Sequence, residues 1–179
     1  SSSSIENVDT HPLAPPSPLL KRWLQRVSKK CDSFSLLQFA GGKRDIEEVL
    51  SRLSGEDGTF ITEKDDHYLF LPVIDKSKIE KKAADILASC SEGSSAGTKV
   101  NVGISIYSKL EKSKSDQLLN CRKALCHAAF LEPGSIVICD AVSFNISGDI
   151  YYGDGDIIQA VREYKRGLQR SPNDGNLLN

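Results

Sequence analysis

Thr59-Phe60-Ile61-Thr62-Glu63-Lys64-Asp65-Asp66-His67-Tyr68-Leu69-Phe70-Leu71-Pro72 is the stretch whose reading decides the fold. Two β-rich runs, 59–62 and 68–74, flank the polar group Glu63–His67, so the segment predicts a hairpin. Upstream, Leu20, Trp23, Leu24 and Val27 recur at helical spacing. They predict a helix over 18–30, with Pro18 suited to its first turn. The apolar run 33–39 predicts a buried strand ending at Ala40-Gly41-Gly42. Residues 45–53 follow as a short helix with Ile46, Val49, Leu50 and Leu53 on one side.

Downstream of the hairpin, Ile79, Ala83, Ile86, Leu87 and Cys90 share one face of a helix predicted over 77–90. A Ser/Gly loop follows at 91–97. Residues 99–107 alternate strictly, with Val100, Val102, Ile104 and Ile106 on one face of a strand. Leu118, Leu119, Arg122, Leu125, Cys126 and Ala129 mark a helix over 115–131, which Glu132-Pro133-Gly134 ends. Residues 135–139 read as the last strand. The order after the first helix is βαββαβαβ. It predicts an α/β fold with one mixed central sheet and covering helices. The alternation over 99–107 suggests one better-covered face, as in a two-layer sandwich.

The composition sets limits. Among 179 residues, 39% are hydrophobic and 26% charged, an ordinary soluble balance. The formal net charge of -1 offers no electrostatic reason to expect nucleic acid. No apolar run approaches the roughly 20 residues that span a bilayer, and the first residues given lack the basic and apolar regions of a signal peptide. Residues 1–17, rich in Ser and Pro, read as a flexible lead-in. Cys31, Cys90, Cys121, Cys126 and Cys139 form no C-x-x-C pair. They read as reduced, mostly buried thiols in a cytoplasmic protein, with no metal site.

Phe144, Gly148, Tyr151, Ala160, Tyr164, Gly167 and Pro172 fall at the spacing of a helix-turn-helix repeat. This stretch resembles one tetratricopeptide repeat. Small residues suit the places where two helices touch, aromatics fill beside them, and proline ends the second helix. One such unit cannot bury its own apolar face. The chain is therefore expected to be a piece of a longer protein, with 141–179 opening a repeat region that binds a protein or peptide partner. Gly153-Asp154-Gly155 is expected to break two antiparallel helices. Ala160 is expected against Gly148 or Tyr151, and Ile157, Val161, Tyr164 and Leu168 on the second helix's apolar side. That side is expected to dock on the preceding domain or pair with a second copy.

Residues 18–140 resemble the GGDEF domain, the palm-like module of bacterial diguanylate cyclases. Glu63-Lys64-Asp65-Asp66-His67, leading into Tyr68-Leu69-Phe70-Leu71-Pro72, stands where that family has G-G-D/E-E-F and an apolar strand ending L-P. Val100–Ser105 resembles the family's S-x-G-I-A segment. The helix containing Lys123-Ala124-Leu125-Cys126-His127-Ala128-Ala129 resembles A-D-x-A-L-Y-x-A-K. Pro12-Leu13-Ala14 faintly echoes the family's opening motif. The resemblance implies a ferredoxin-like βαββαβ core with a C-terminal helical hairpin after it.

The departures bear on activity. Condensing two GTP molecules needs carboxylates that hold divalent metal against the triphosphate. The family takes one from the end of the first strand, where this chain has Gln38-Phe39-Ala40. Its glycine pair is Glu63-Lys64 here, and its terminal lysine is Ala129. Its inhibitory R-x-x-D motif is half present: Asp57 is in place, with Ser54 at the arginine position, so the guanidinium fork is lost. The resemblance thus implies a catalytically inactive relative with no catalytic residue.

Other candidates have plainer readings. Asp65 and Asp66 suit a solvated turn better than a metal pair. His67 lacks a visible partner ligand, His127 reads as partly exposed, and Gly41-Gly42-Lys43-Arg44 reads as a strand-to-helix turn rather than a phosphate cradle. Three functions compete: a non-enzymatic interaction module, a regulator binding GTP or cyclic di-GMP, and a divergent enzyme using Asp65 and Asp66. No cofactor is expected for the first.

Overall fold

The structure is a computed structural model that describes residues 11–40, 46–91, 99–111 and 113–170. Its elements run α1 (Pro18–Val27), β1 (Phe34–Ala40), α2 (Ile46–Leu53), β2 (Thr59–Glu63), β3 (Asp66–Leu71), α3 (Lys76–Ser91), β4 (Asn101–Tyr107), α4 (Asp116–Ala128), β5 (Ile136–Ile138), α5 (Ala141–Gly153) and α6 (Ile157–Arg170). The five strands form one mixed sheet in the order β2-β3-β1-β4-β5. Only the β4–β5 pair is parallel. The expected mixed sheet with covering helices and a C-terminal helical hairpin is what the chain forms.

Local chemistry sets the ends of the helices. Ser17 caps α1, its Oγ accepting from the Leu20 amide at 3.2 Å, and Pro18 takes the first turn, where its missing N–H costs nothing. Asp140 and Ser143 form a reciprocal capping box at the start of α5. The lead-in does not stay loose as far as Ser17: Leu13 is 3% exposed, His11 Nε2 stands 2.5 Å from Asp154 Oδ2, and Ser17 Oγ donates to Glu63. The calls on residues 1–10, on 41–44, on most of the Ser/Gly loop and on Pro172 lie outside the described residues.

The sheet is covered on both faces, which corrects the two-layer expectation. Leu37, Phe39, Leu69, Val102 and Ile104 pack on one face against Ile46, Val49 and Leu50 of α2 and Ile79, Ala83 and Ile86 of α3. Phe34, Leu36, Tyr68 and Phe70 pack on the other against Leu20, Trp23 and Leu24 of α1 and Leu118 and Cys121 of α4. The small face of β4 misled the sequence reading. Gly103 is small because α4 presses on it: a Cβ there would run into the Cys121 carbonyl and sit 2.9 Å from the Leu125 amide. Ser105 donates to Gln117 of the same helix. A polar-looking alternation here marks close backbone approach rather than solvent.

The C-terminal hairpin turns at Asp154-Gly155-Asp156, with Gly155 at φ +82°. The nearest approach at Gly148 is made by the Tyr164 ring, 2.5 Å from where a Cβ would stand, and Ala160 is buried at 1% exposure. One expectation is corrected. The supposed apolar side of α6 faces outward: Ile157, Val161 and Leu168 are 49%, 44% and 50% exposed. The buried stripe is Ala160, Glu163 and Gly167. Small residues allow the closer helix approach, and Glu163 is drawn inward by a buried lysine.

Candidate functional site

The polar group of the hairpin is mostly strand. Glu63 pairs with Asp66, so only Lys64 and Asp65 form the turn, and Lys64 takes a left-handed φ of 55°. Glu63 accepts from Ser17 Oγ at 2.6 Å, which ties the turn to the start of α1. Strand alternation then separates the next two side chains. Asp66 shares the α1/α4 face with Tyr68, which stands opposite Gln38 of β1.

On that face a polar cluster closes around Asp66. Arg122 of α4 donates to Asp66 Oδ2 at 2.9 Å, and Gln38 Nε2 donates to Oδ1 at 3.2 Å. Burial opposes the Arg122 charge, but Asp66 and Tyr68 outweigh it and leave the guanidinium above its ordinary value. Burial pushes the Tyr68 phenol well up, so it stays protonated. Gln38 is fully buried, and its Oε1 has no partner. A groove of about 480 Å³ opens beside the cluster, lined by Pro12, Ser17, Glu63, Lys64, Asp66 and Arg122 among others.

His67 lies on the opposite face, 6% exposed, with Nδ1 3.0 Å from Thr62 Oγ1. Burial lowers its pKa; Glu47, Asp66 and Asp65 pull the other way without reversing it. Asp65 is exposed on the turn, so the adjacent aspartates do not converge. The divalent metal that the fold family implies does not fit these residues. Asp66 is already matched by Arg122 and Gln38, and no group of three or more His, Cys, Asp or Glu converges among the described residues. Asp57 is exposed between α2 and β2, and Ser54 offers its carbonyl against Gly58.

The other candidates are structural in their surroundings. His127 Nδ1 is 3.0 Å from Ser143 Oγ, which joins α4 to α5. Cys121 and Cys139 are buried; burial raises both thiols, Cys139 to about 12. Phe144 and Ala160 are buried, Tyr151 and Tyr164 half-buried, and Gly167 lies against Asn145 and the Ala141 carbonyl. Sequence reading missed Gln38 and Arg122 as partners of Asp66. Arg122 left a signal: it is a charged residue within the apolar face of its helix. Lys123 and Glu163 left none. They form a buried ion pair at 2.8 Å, to which Ser147 adds a bond at 2.9 Å.

No family model and no curated protein matches the chain. Solved structures do. The GGDEF domain of DgcB from Caulobacter crescentus, in complex with c-di-GMP, has 10% identity and a TM-score of 0.60, covering 67% of this chain and 88% of that one. The GGDEF domain of TpbB or YfiN from Pseudomonas aeruginosa has 16% identity and a TM-score of 0.51, covering 74% and 94%. A diguanylate cyclase/phosphodiesterase from Caldicellulosiruptor saccharolyticus has 17% identity and a TM-score of 0.50, covering 72% and 90%. Identities this low speak to architecture, and the chain therefore has the GGDEF-domain fold, with two further helices packed after its last strand.

Proposed function

We propose that this chain is a non-catalytic signalling or scaffold module, in which a degenerate GGDEF-like domain carries the start of a protein-binding tetratricopeptide repeat. The observation that supports it is the state of Asp66. A metal-dependent site needs a carboxylate free to meet the cation. Here Arg122 neutralises that carboxylate and Gln38 fills its other oxygen. The vestigial Asp57 position and the turn Glu63-Lys64 fit the same reading, since neither offers a guanidinium fork or a glycine pair to a nucleotide. The exposed stripe Ile157, Val161 and Leu168 supports partner binding through the repeat, in cis or with a second copy. Its buried thiols suit the reducing cytoplasm.

Incubation with GTP and magnesium or manganese tests the reading. We expect no cyclic di-GMP; product that is abolished by Asp65→Ala with Asp66→Ala would overturn it. A second reading, a nucleotide-responsive regulator, is favoured by the groove beside Arg122 and by the c-di-GMP bound to the Caulobacter neighbour. Calorimetric titration with GTP and cyclic di-GMP separates the two. Heat that Arg122→Ala removes, without turnover, selects the regulator.

A further inference from the structure

A second groove, about 640 Å³, lies on the far side of α4, between that helix, the segment after β4 and α6. Its volume suits a small molecule rather than a water or a single ion. α6 lines it with Arg162, Lys165, Arg166 and Arg170, a spacing that puts four cations on one helix face. Two acids share the rim, Glu111 and Asp116, which leaves an excess of two positive charges in a chain whose formal charge is -1. Glu111 is taken by Arg170 at 2.6 Å. Arg166 stands 3.8 Å from Glu163, but Glu163 is already matched by Lys123 at 2.8 Å. Among the described residues Arg162 and Lys165 have no carboxylate within ion-pair distance. Like charges one turn apart repel, so this face is stabilised by an anion laid across it.

The floor of the groove carries an independent sign of a ligand. Asn120 of α4 lines it, is 3% exposed, and its Oδ1 is buried with no hydrogen-bond partner. A buried acceptor left unmatched costs about 1–3 kcal/mol, and a donor brought by a ligand removes that cost. Beside it Phe144 presents a ring on which Arg170 already lies, 5.4 Å from the centroid, so that guanidinium is held in place at the rim. We propose that this groove binds a phosphorylated small molecule, its phosphates on Lys165, Arg166 and Arg162 and a hydrogen-bond donor of its body on Asn120 Oδ1. The site is separate from the hairpin groove and does not depend on the adaptor reading.

Calorimetry on the intact chain at low ionic strength tests this with two probes, inorganic pyrophosphate and ADP. Pyrophosphate offers phosphate alone; ADP adds hydroxyl and amino donors. Both are expected to bind saturably. Arg162→Glu with Lys165→Glu should weaken both by roughly tenfold or more. Asn120→Ala should weaken ADP and leave pyrophosphate unchanged. Arg162 and Lys165 are exposed and stand clear of the buried Lys123–Glu163 pair, so the charge reversal leaves the core intact and decides the matter alone if Asn120→Ala fails to fold. Absence of saturable binding, heats unaltered by the reversal, or equal loss of both probes in a folded Asn120→Ala would overturn the proposal. So would binding that persists in the reversal and disappears in Arg122→Ala, since it would then belong to the hairpin groove.

Discussion

Gln38 is the residue on which the chemistry of the hairpin turns. It is isosteric with glutamate, and its amide reaches Asp66 at 3.2 Å. Gln38→Glu would set two carboxylates side by side, with Arg122 matching only one. The expected cost at neutral pH is about 1–3 kcal/mol. The pair would then hold a proton more tightly than the unfolded chain does, so the variant should recover stability as pH falls through the carboxylate range; urea midpoints at several pH values read this directly. His67 gives the opposite test. Its pKa is lowered from 6.5 by burial, so on acidification the unfolded chain takes the proton first. Stability should fall as pH drops from 6.5 towards the lowered value, by at most about 1.4 kcal/mol per pH unit. His67→Phe should flatten that limb. A melting profile with an unchanged acid limb would show that His67 is not its source.

Between elements, the contact of α4 with the C-terminal hairpin is held by Lys123, Glu163 and Ser147, and by Lys123 set 5.1 Å from the Phe144 ring. Burial lowers the Lys123 pKa even though Glu163 supports its charge, so the pair is expensive to keep and worse to break. Glu163→Ala should cost about 3–5 kcal/mol, because a buried ammonium loses its counterion. Lys123→Met combined with Glu163→Leu should be far milder than either half alone, which a double-mutant cycle measures. In the same contact, Ala160→Trp should cost roughly 1–3 kcal/mol by overpacking a buried position. Hydrogen exchange would then show α5 and α6 losing protection before the sheet does. Protection lost uniformly over the whole chain would mean that the hairpin and the sheet do not open separately.

Across the whole molecule, the sheet and the hairpin share a core. Ala124 and Ala128 of α4, Val137 of β5, Cys139 just after it, and Phe144 of α5 form one apolar cluster. Truncation after Asp140 would bare that cluster and take away the partner of Lys123. The shortened chain should melt lower than the intact one and associate on sizing columns. An equally stable, monomeric fragment would show the hairpin to be an independent appendage. In the central layer, Ile104 is fully buried on β4. Ile104→Asp puts an unpaired carboxylate between sheet and helices, and should unfold the domain as seen by circular dichroism.

Period and punctuation in the sequence determined every strand and helix of the sheet domain to within a few residues, because each rests on local chemistry. Alternation marked β4, the stripe Leu118–Leu125 marked α4, and the Gly-Asp-Gly group marked the last turn. Side-chain partnership lay beyond that reach. Whether β4 has one covered face or two depends on how closely α4 approaches Gly103, and that distance is set by residues far along the chain. Which face of α6 turns inward was decided by a lysine 40 residues earlier, against the helix's own apolar stripe. Asp66 likewise looked like a turn residue beside Asp65. Only the sheet register, which brings Gln38 across from Tyr68, and the packing of α4, which lowers Arg122 onto that face, make it the centre of a closed polar cluster. Local propensity acts over a few residues, whereas charge and shape are matched through space.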